Sequence, residues 1–231
     1  MVSREDLPVV KPARVMGYRL VNSKYPPIAL FDDVADPEEF DALYELQART
    51  NPRLLNAVGR LEFIPRSEIP FGIPGCSYAV APFTHLNPAG SRFSDGSFGV
   101  LYLADTIATA LAEVRYHQQA YWAGVEGLAF DRILLRALSC KFDQTGMLDM
   151  TGITLDDPIY DPYDYGAARI AGVKLKQAAA CGLKYNSVRS PGNVCWGLLT
   201  PKPVHSIVQA SHYEMIWDGR GISSVNKLAP V

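Results

Sequence analysis

Three side chains suited to handling a nucleotide fall in one stretch, SRFSDGSFGVLYLADTIATALAEVRYH, residues 91–117. Arg92 offers a planar guanidinium fork that matches phosphate oxygens. The ring of Tyr102 can stack on a heteroaromatic ligand. Glu113 supplies a carboxylate. Together they suit a pocket for a charged nucleotide. Each also has an ordinary reading: a surface arginine covering apolar surface with its stem, a core tyrosine among Val100, Leu101 and Leu103, and a solvated glutamate on a helix flank. At helical spacing Glu113 lies about 115° from the apolar stripe centred near Ile107 and Val114. Its neighbours there include Tyr116 and Ala120, apolar company for a solvated flank.

The elements that must carry these residues are partly legible. SRFS and SFGVLYLA flank Asp95-Gly96, which predicts a two-residue hairpin. That register pairs Arg92 with Gly99 and sends Tyr102 to the opposite face, so a shared pocket requires a break at Gly96 or Gly99. Asp105-Thr106 can cap a helix whose stripe is Ile107, Ala110, Leu111 and Val114. Upstream, GYRLV (17–21) reads as a strand. Asp36-Pro37 opens a helix over 36–50 with Glu38 and Glu39 at its positive end, and Asn51-Pro52 restarts a second short helix over 51–60. Residues 64–83, rich in proline and glycine, read as a surface connector. Downstream come a strand over 132–142, the short strand MLDM, an acidic loop over 155–166, and an alanine-rich helix over 167–182 ending at Gly182. The tail holds four β-rich runs, LKYNSVRS, VCWGLLT, VHSIVQA and HYEMIW. The sum is an α/β (α+β) fold.

The 231 residues are 48% apolar and 20% charged, enough for a sizeable core, and the net charge of -2 gives no footprint for nucleic acid. Four dispersed cysteines, without a CxxC pair, offer neither zinc-ligand spacing nor a secreted disulfide framework. His85, His117, His205 and His212 lack metal-ligand spacing, and no metal is expected. The charged, prolyl N-terminus has no apolar leader, and no run nears the roughly 20 apolar residues of a membrane span. The expectation is a cytoplasmic protein with reduced thiols. SVRSPGN (187–193) reads as a turn carrying an anion-binding arginine.

The stretch resembles the RES domain, the toxin half of RES–Xre toxin–antitoxin pairs. The likeness runs from SRF to the tyrosine of VLYLA ten positions on, to the glutamate of TALAEV, and to GLKYNSVRSPGNVCWGLL with its Gly-x-x-Tyr-x-Ser-x-Arg pattern. It covers roughly residues 76–210, with GYRLV similar to the family's opening Tyr-Arg strand. Two features depart from the common pattern. The chain has Arg92-Phe93-Ser94 where many members have Arg-Trp-Asn, and its N-terminal part is longer. The resemblance implies an ADP-ribosyltransferase-like mixed β core with flanking helices, divided as an N-terminal extension (1–75) packed on a core (76–231). It implies Arg92, Tyr102 and Glu113 as catalytic residues and Arg19 and Ser187 as substrate-binding ones. The reaction implied is cleavage of the nicotinamide–ribose bond of NAD+, by water or inorganic phosphate, with no cofactor. The alternatives are ADP-ribosyl transfer to a protein and a non-catalytic partner-binding domain. The implied partner is an Xre-family antitoxin. The N-terminal helices are open to three uses: binding that antitoxin, capping the pocket, or forming a homodimer.

Overall fold

The computed structural model describes residues 7–24, 31, 32, 34, 36–48 and 59–229. An eight-stranded mixed sheet forms its centre, comprising β1 (Arg14–Asn22), β2 (Leu101–Ala104), β3 (Asp131–Asp143), β4 (Leu148–Asp149), β5 (Gly182–Asn186), β6 (Val194–Leu198), β7 (Val204–Trp217) and β8 (Ile222–Leu228). Their order is β4-β5-β6-β2-β1-β3-β7-β8. The β4–β5 pair is parallel and the other named pairs are antiparallel. The N-terminal strand therefore lies inside the sheet, between β2 and β3.

Helices cover both faces. On one side α1 (Pro37–Ala48) and α2 (Cys76–Thr84) bury Phe40, Ala79, Val80 and Phe83 against Leu101, Leu103, Leu138 and Phe142. On the other, α3 (Ile107–Ala123) and α4 (Gly166–Gln177) bury Ala110, Trp122, Ala171 and Leu175 against Ala104, Leu135, Tyr185 and Met215. Period-2 alternation explains the division within β2, where Leu101 and Leu103 face one core and Tyr102 and Ala104 the other. In β7 the phase changes. Ala137 pairs with Ser211 but Leu138 with Gln209, so Ala210 is the extra residue of a bulge. Ile207 thus faces the α2 side, whereas Tyr213, Met215 and Trp217 face the α3 side. The runs VHSIVQA and HYEMIW are one strand with a phase break.

The caps of α1 and α3 form as their sequences dictate. Asp36 Oδ1 accepts from Glu39 N at 2.9 Å, and Thr106 Oγ1 from Thr109 N at 3.0 Å. The helix expected over 51–60 lies outside the described residues apart from 59 and 60. No helix among the described residues is long and apolar enough to cross a membrane.

Three sequence expectations are corrected. The connector over 64–83 contains the buried helix α2, entered through Gly75 at φ 78°, where a Cβ would fall 1.8 Å from Ile207 O. The helix expected to run to Gly182 stops at Gln177, because Ala178–Ala180 form a C-terminal cap. Ala180 N donates to Leu175 O at 3.0 Å, and Ala179 takes φ 53°. Gly182 instead sits in β5, where a Cβ would meet Gly197 O at 2.9 Å. The hairpin at Asp95-Gly96 does not form. Residues 91–99 close into a compact loop with a single bridge, Ser91 to Ser94. Asp95 Oδ1 accepts from Ser97 N (2.9 Å) and Ser97 Oγ (2.6 Å), and Ser94 Oγ donates to Phe98 O at 2.5 Å. These local bonds replace a ladder. Gly99 packs on α2 instead, so closely that a Cβ would lie 2.0 Å from Pro82 O.

Candidate functional site

Losing the hairpin removes the conflict between Arg92 and Tyr102. With no ladder fixing opposite faces, the loop folds back over β2 and the Tyr102 hydroxyl accepts from Phe93 N at 2.9 Å. It also shares a 2.8 Å hydrogen bond with Ser91 Oγ. Burial pushes the Tyr102 phenol up to about 12, so it stays protonated. Tyr102 thus pins the segment that carries Arg92.

A cavity of about 460 Å³ opens between the sheet, α3 and this loop. Arg19, Arg92, Tyr102 and Glu113 all line it. Arg19 reaches it because β1 and β2 share one ladder pair, Tyr18 with Ala104. Beyond that pair its Nη1 donates across to Tyr102 O at 3.4 Å. Burial pushes the Arg19 pKa below its ordinary value. Arg92, 8% exposed, donates through Nη1 to Asp161 O (3.0 Å) and Ile159 O (3.3 Å), and its guanidinium lies over the Tyr165 ring at 4.3 Å. The acidic loop over 155–166 therefore holds the arginine through its backbone and a ring rather than its carboxylates.

Glu113 projects from α3, and Ser187, at the end of β5, stands behind it. Ser187 is 1% exposed; its Oγ donates to Glu113 Oε1 at 2.6 Å and accepts from Ser190 N at 3.0 Å. The structure thus joins Ser187 to the other four through Glu113, as a residue that positions the carboxylate.

Several lining residues have no counterpart in the sequence reading: Tyr165, Arg169, Tyr185 and Cys195, with His117 as a cavity residue. His117 was legible, since it lies one helical turn beyond Glu113 on the same face. Partial burial pushes its imidazole below the ordinary value, against Glu113, with Arg189 and Arg92 adding to the shift. The others come from distant segments brought together by packing. Arg189, in the turn read as anion-binding, is already engaged. Its guanidinium covers the Tyr116 ring at 3.3 Å and it donates to Pro162 O. No group of three or more His, Cys, Asp or Glu placed to hold a metal occurs among the described residues.

Arg19, Arg92 and Arg169 form no salt bridge among the described residues. Three cations facing one hollow without a carboxylate partner favour an anionic occupant. Glu113 provides negative charge for one spot within it.

The chain matches the RES domain family model over residues 69–218. It is 30% identical over 210 residues to the uncharacterised protein y4oC of Sinorhizobium fredii (strain NBRC 101917 / NGR234), covering 89% of this chain and 84% of that one. Among solved structures, the M. tuberculosis MbcT–MbcA toxin–antitoxin complex aligns at TM-score 0.37 and 16% identity, over 53% of this chain and 73% of that one. With more than half its length matched by the family model and a relative similar along most of both chains, the protein belongs to the RES domain family.

Proposed function

We propose that the chain cleaves the bond between nicotinamide and ribose in NAD+. The C1′–N1 bond breaks and its electron pair leaves with nicotinamide, which departs neutral from a cationic ring and needs no proton. Water or inorganic phosphate forms the new C1′–O bond and releases its proton to solvent. What the protein must supply is stabilisation of an oxocarbenium-like ribose, as glycosidases do with carboxylates. Glu113 does this, held in place by Ser187. Arg92 and Arg19 bind the pyrophosphate, and the wall carrying Tyr102 receives the nicotinamide ring. The observation that carries the reading is one cavity holding three arginines that form no salt bridge among the described residues, beside one carboxylate fixed by a buried serine. Its volume of about 460 Å³ falls within the range of roughly 300–1,000 Å³ common for ligand sites. The family resemblance supports NAD+ as the nucleotide. It also supports a toxin role, in which NAD+ is depleted unless an Xre-family antitoxin binds.

The test is nicotinamide release from NAD+ by the purified protein and by Glu113→Gln. The variant should fold normally and lose about 10²–10³ in turnover. Undiminished turnover would reject the role of Glu113. Labelled NAD+ then identifies the acceptor: free ADP-ribose for water, its phosphate ester for phosphate, labelled protein for transfer.

A further inference from the structure

Arg169 lines the cavity, yet neither the sequence motifs nor the reaction above employs it. It stands in the first turn of α4, where its Nε donates to Ser91 O at 3.0 Å and its Nη2 to Ala89 O at 2.8 Å. Its Nη1 has no partner among the described residues. Carbonyl oxygens fix the plane of the guanidinium without neutralising its charge. Arg92 is likewise held by carbonyls, those of Ile159 and Asp161 in the 155–166 loop. Its Nη1 is taken by two carbonyls, while Nε and Nη2 have no partner among the described residues although the side chain is nine-tenths buried. Tyr165 touches Arg92 through its ring and Arg169 through the first backbone bond of α4. Its ring covers Arg92 at 4.3 Å, and its carbonyl accepts from Arg169 N at 2.8 Å. Two guanidiniums thus line one cavity, each with donors unspent and neither in a salt bridge among the described residues. The positive end of α4 begins beside them, with no side-chain cap at Tyr165. Arg92 and Arg169 both line the cavity, and like charges facing one hollow favour an anionic occupant.

We propose that Arg169 is a phosphate-binding residue which, with Arg92, grips the phosphoryl oxygens of the dinucleotide. The proposal rests on the reading of the chain as an NAD+-cleaving enzyme and narrows it. The cavity selects pyrophosphate-bridged nucleotides over phosphate-free nucleosides carrying the same scissile bond.

The experiment compares kcat/KM for NAD+ and for nicotinamide riboside, which lacks phosphate, in phosphate-free buffer. Wild type, Arg169→Gln and Arg169→Lys are measured, with circular dichroism to establish folding. Losing a charge-assisted contact should cost Arg169→Gln on the order of 10- to 100-fold on NAD+, chiefly in KM. That loss should exceed the loss on the riboside at least tenfold, and Arg169→Lys should recover part of it. Equal losses on both substrates, with lysine no better than glutamine, would show a residue that only braces the 89–91 loop and would overturn the proposal. Inorganic phosphate is then added. If it accelerates the wild type but not Arg169→Gln, while NAD+ affinity stays equal, the assignment to the dinucleotide is overturned in favour of the co-substrate. If the wild type cleaves neither substrate, with phosphate or without it, the enzymatic reading fails separately. Calorimetric titration with inorganic pyrophosphate then decides the clamp: tenfold weaker binding to Arg169→Gln supports it, and equal binding overturns it.

Discussion

Replacing Ser187 by alanine separates a residue that holds the carboxylate from one that holds the substrate. Its hydroxyl spends its proton on Glu113 Oε1 at 2.6 Å and accepts from Ser190 N at 3.0 Å. The backbone bond from Ser187 N to Asn193 O, 2.9 Å, survives the change. A hydrogen bond to a charged group contributes about 1.5–3 kcal/mol. If that energy serves to aim Glu113 at the ribose, kcat for nicotinamide release should fall about 10- to 100-fold. Stability should fall less, by about 1 kcal/mol, because the freed carboxylate can turn into the open cavity while only Ser190 N–H is left unsatisfied. The assay is kcat and KM for Ser187→Ala alone and in a Glu113→Ala background. There the serine has nothing to position, and its removal should cost less than about threefold. Additive losses would mean that Ser187 acts on the substrate directly, and an unchanged kcat in the single variant would end the argument.

Three further outcomes follow from the same packing. Tyr102→Phe keeps the ring but strips the acceptor from buried Phe93 N–H, so it should cost about 1–3 kcal/mol in a urea titration and raise KM for NAD+; an unchanged KM would show that the Arg92 loop needs no such pin. Gly172→Ala would place a Cβ 2.0 Å from Phe93 O and 3.0 Å from Phe93 Cα, backbone that cannot rotate away. A loss of at least about 1–3 kcal/mol with reduced turnover is expected, whereas Gly152→Ala, which meets nothing within 4 Å, should be silent in both assays. Burial pushes the Cys76, Cys140 and Cys195 thiols up to about 12 each, against an ordinary value of about 8.5. The unfolded chain releases these protons first, so stability is full below about pH 8 and falls as pH rises toward 12. Urea midpoints measured near pH 7 and near pH 10 should decrease, and a rise would contradict the assigned burial.

How far the sequence could carry this reading depended on the range of the interactions. Strand β1, most of β3, β6 and the caps of α1 and α3 were legible because alternation and capping are written into neighbouring residues. Strand β8 was not, because ISSVNKL buries Ile222 but little else. The α2 segment hid among prolines and glycines that serve its close approach to β7 and to the 95–99 loop. The end of α4 was misplaced because an alanine took the left-handed position that glycine usually fills. In the site, Arg92, Tyr102 and Glu113 stood out by type and spacing. Arg169, Tyr165 and Tyr185 did not, since each meets the cavity through contacts far along the chain.

The failed hairpin has the largest consequence for function. A regular two-residue turn would have tied Arg92 to Gly99 and placed its side chain across the sheet from Tyr102. Local hydrogen bonds from Ser94 and Asp95, together with the seating of Gly99 on α2, close a loop instead. That loop leaves Arg92 to be oriented by the carbonyls of Ile159 and Asp161, by the Tyr165 ring, and by Tyr102 beneath Phe93. None of these partners bears a charge that would compete with a phosphate for the guanidinium. Carboxylates were close in sequence, at Asp156, Asp157, Asp161 and Asp164, yet the arginine is held by main-chain oxygens. A carboxylate partner would have satisfied the cation and closed it to ligands. Neutral oxygens fix its direction and leave its charge available, as the proposed chemistry requires.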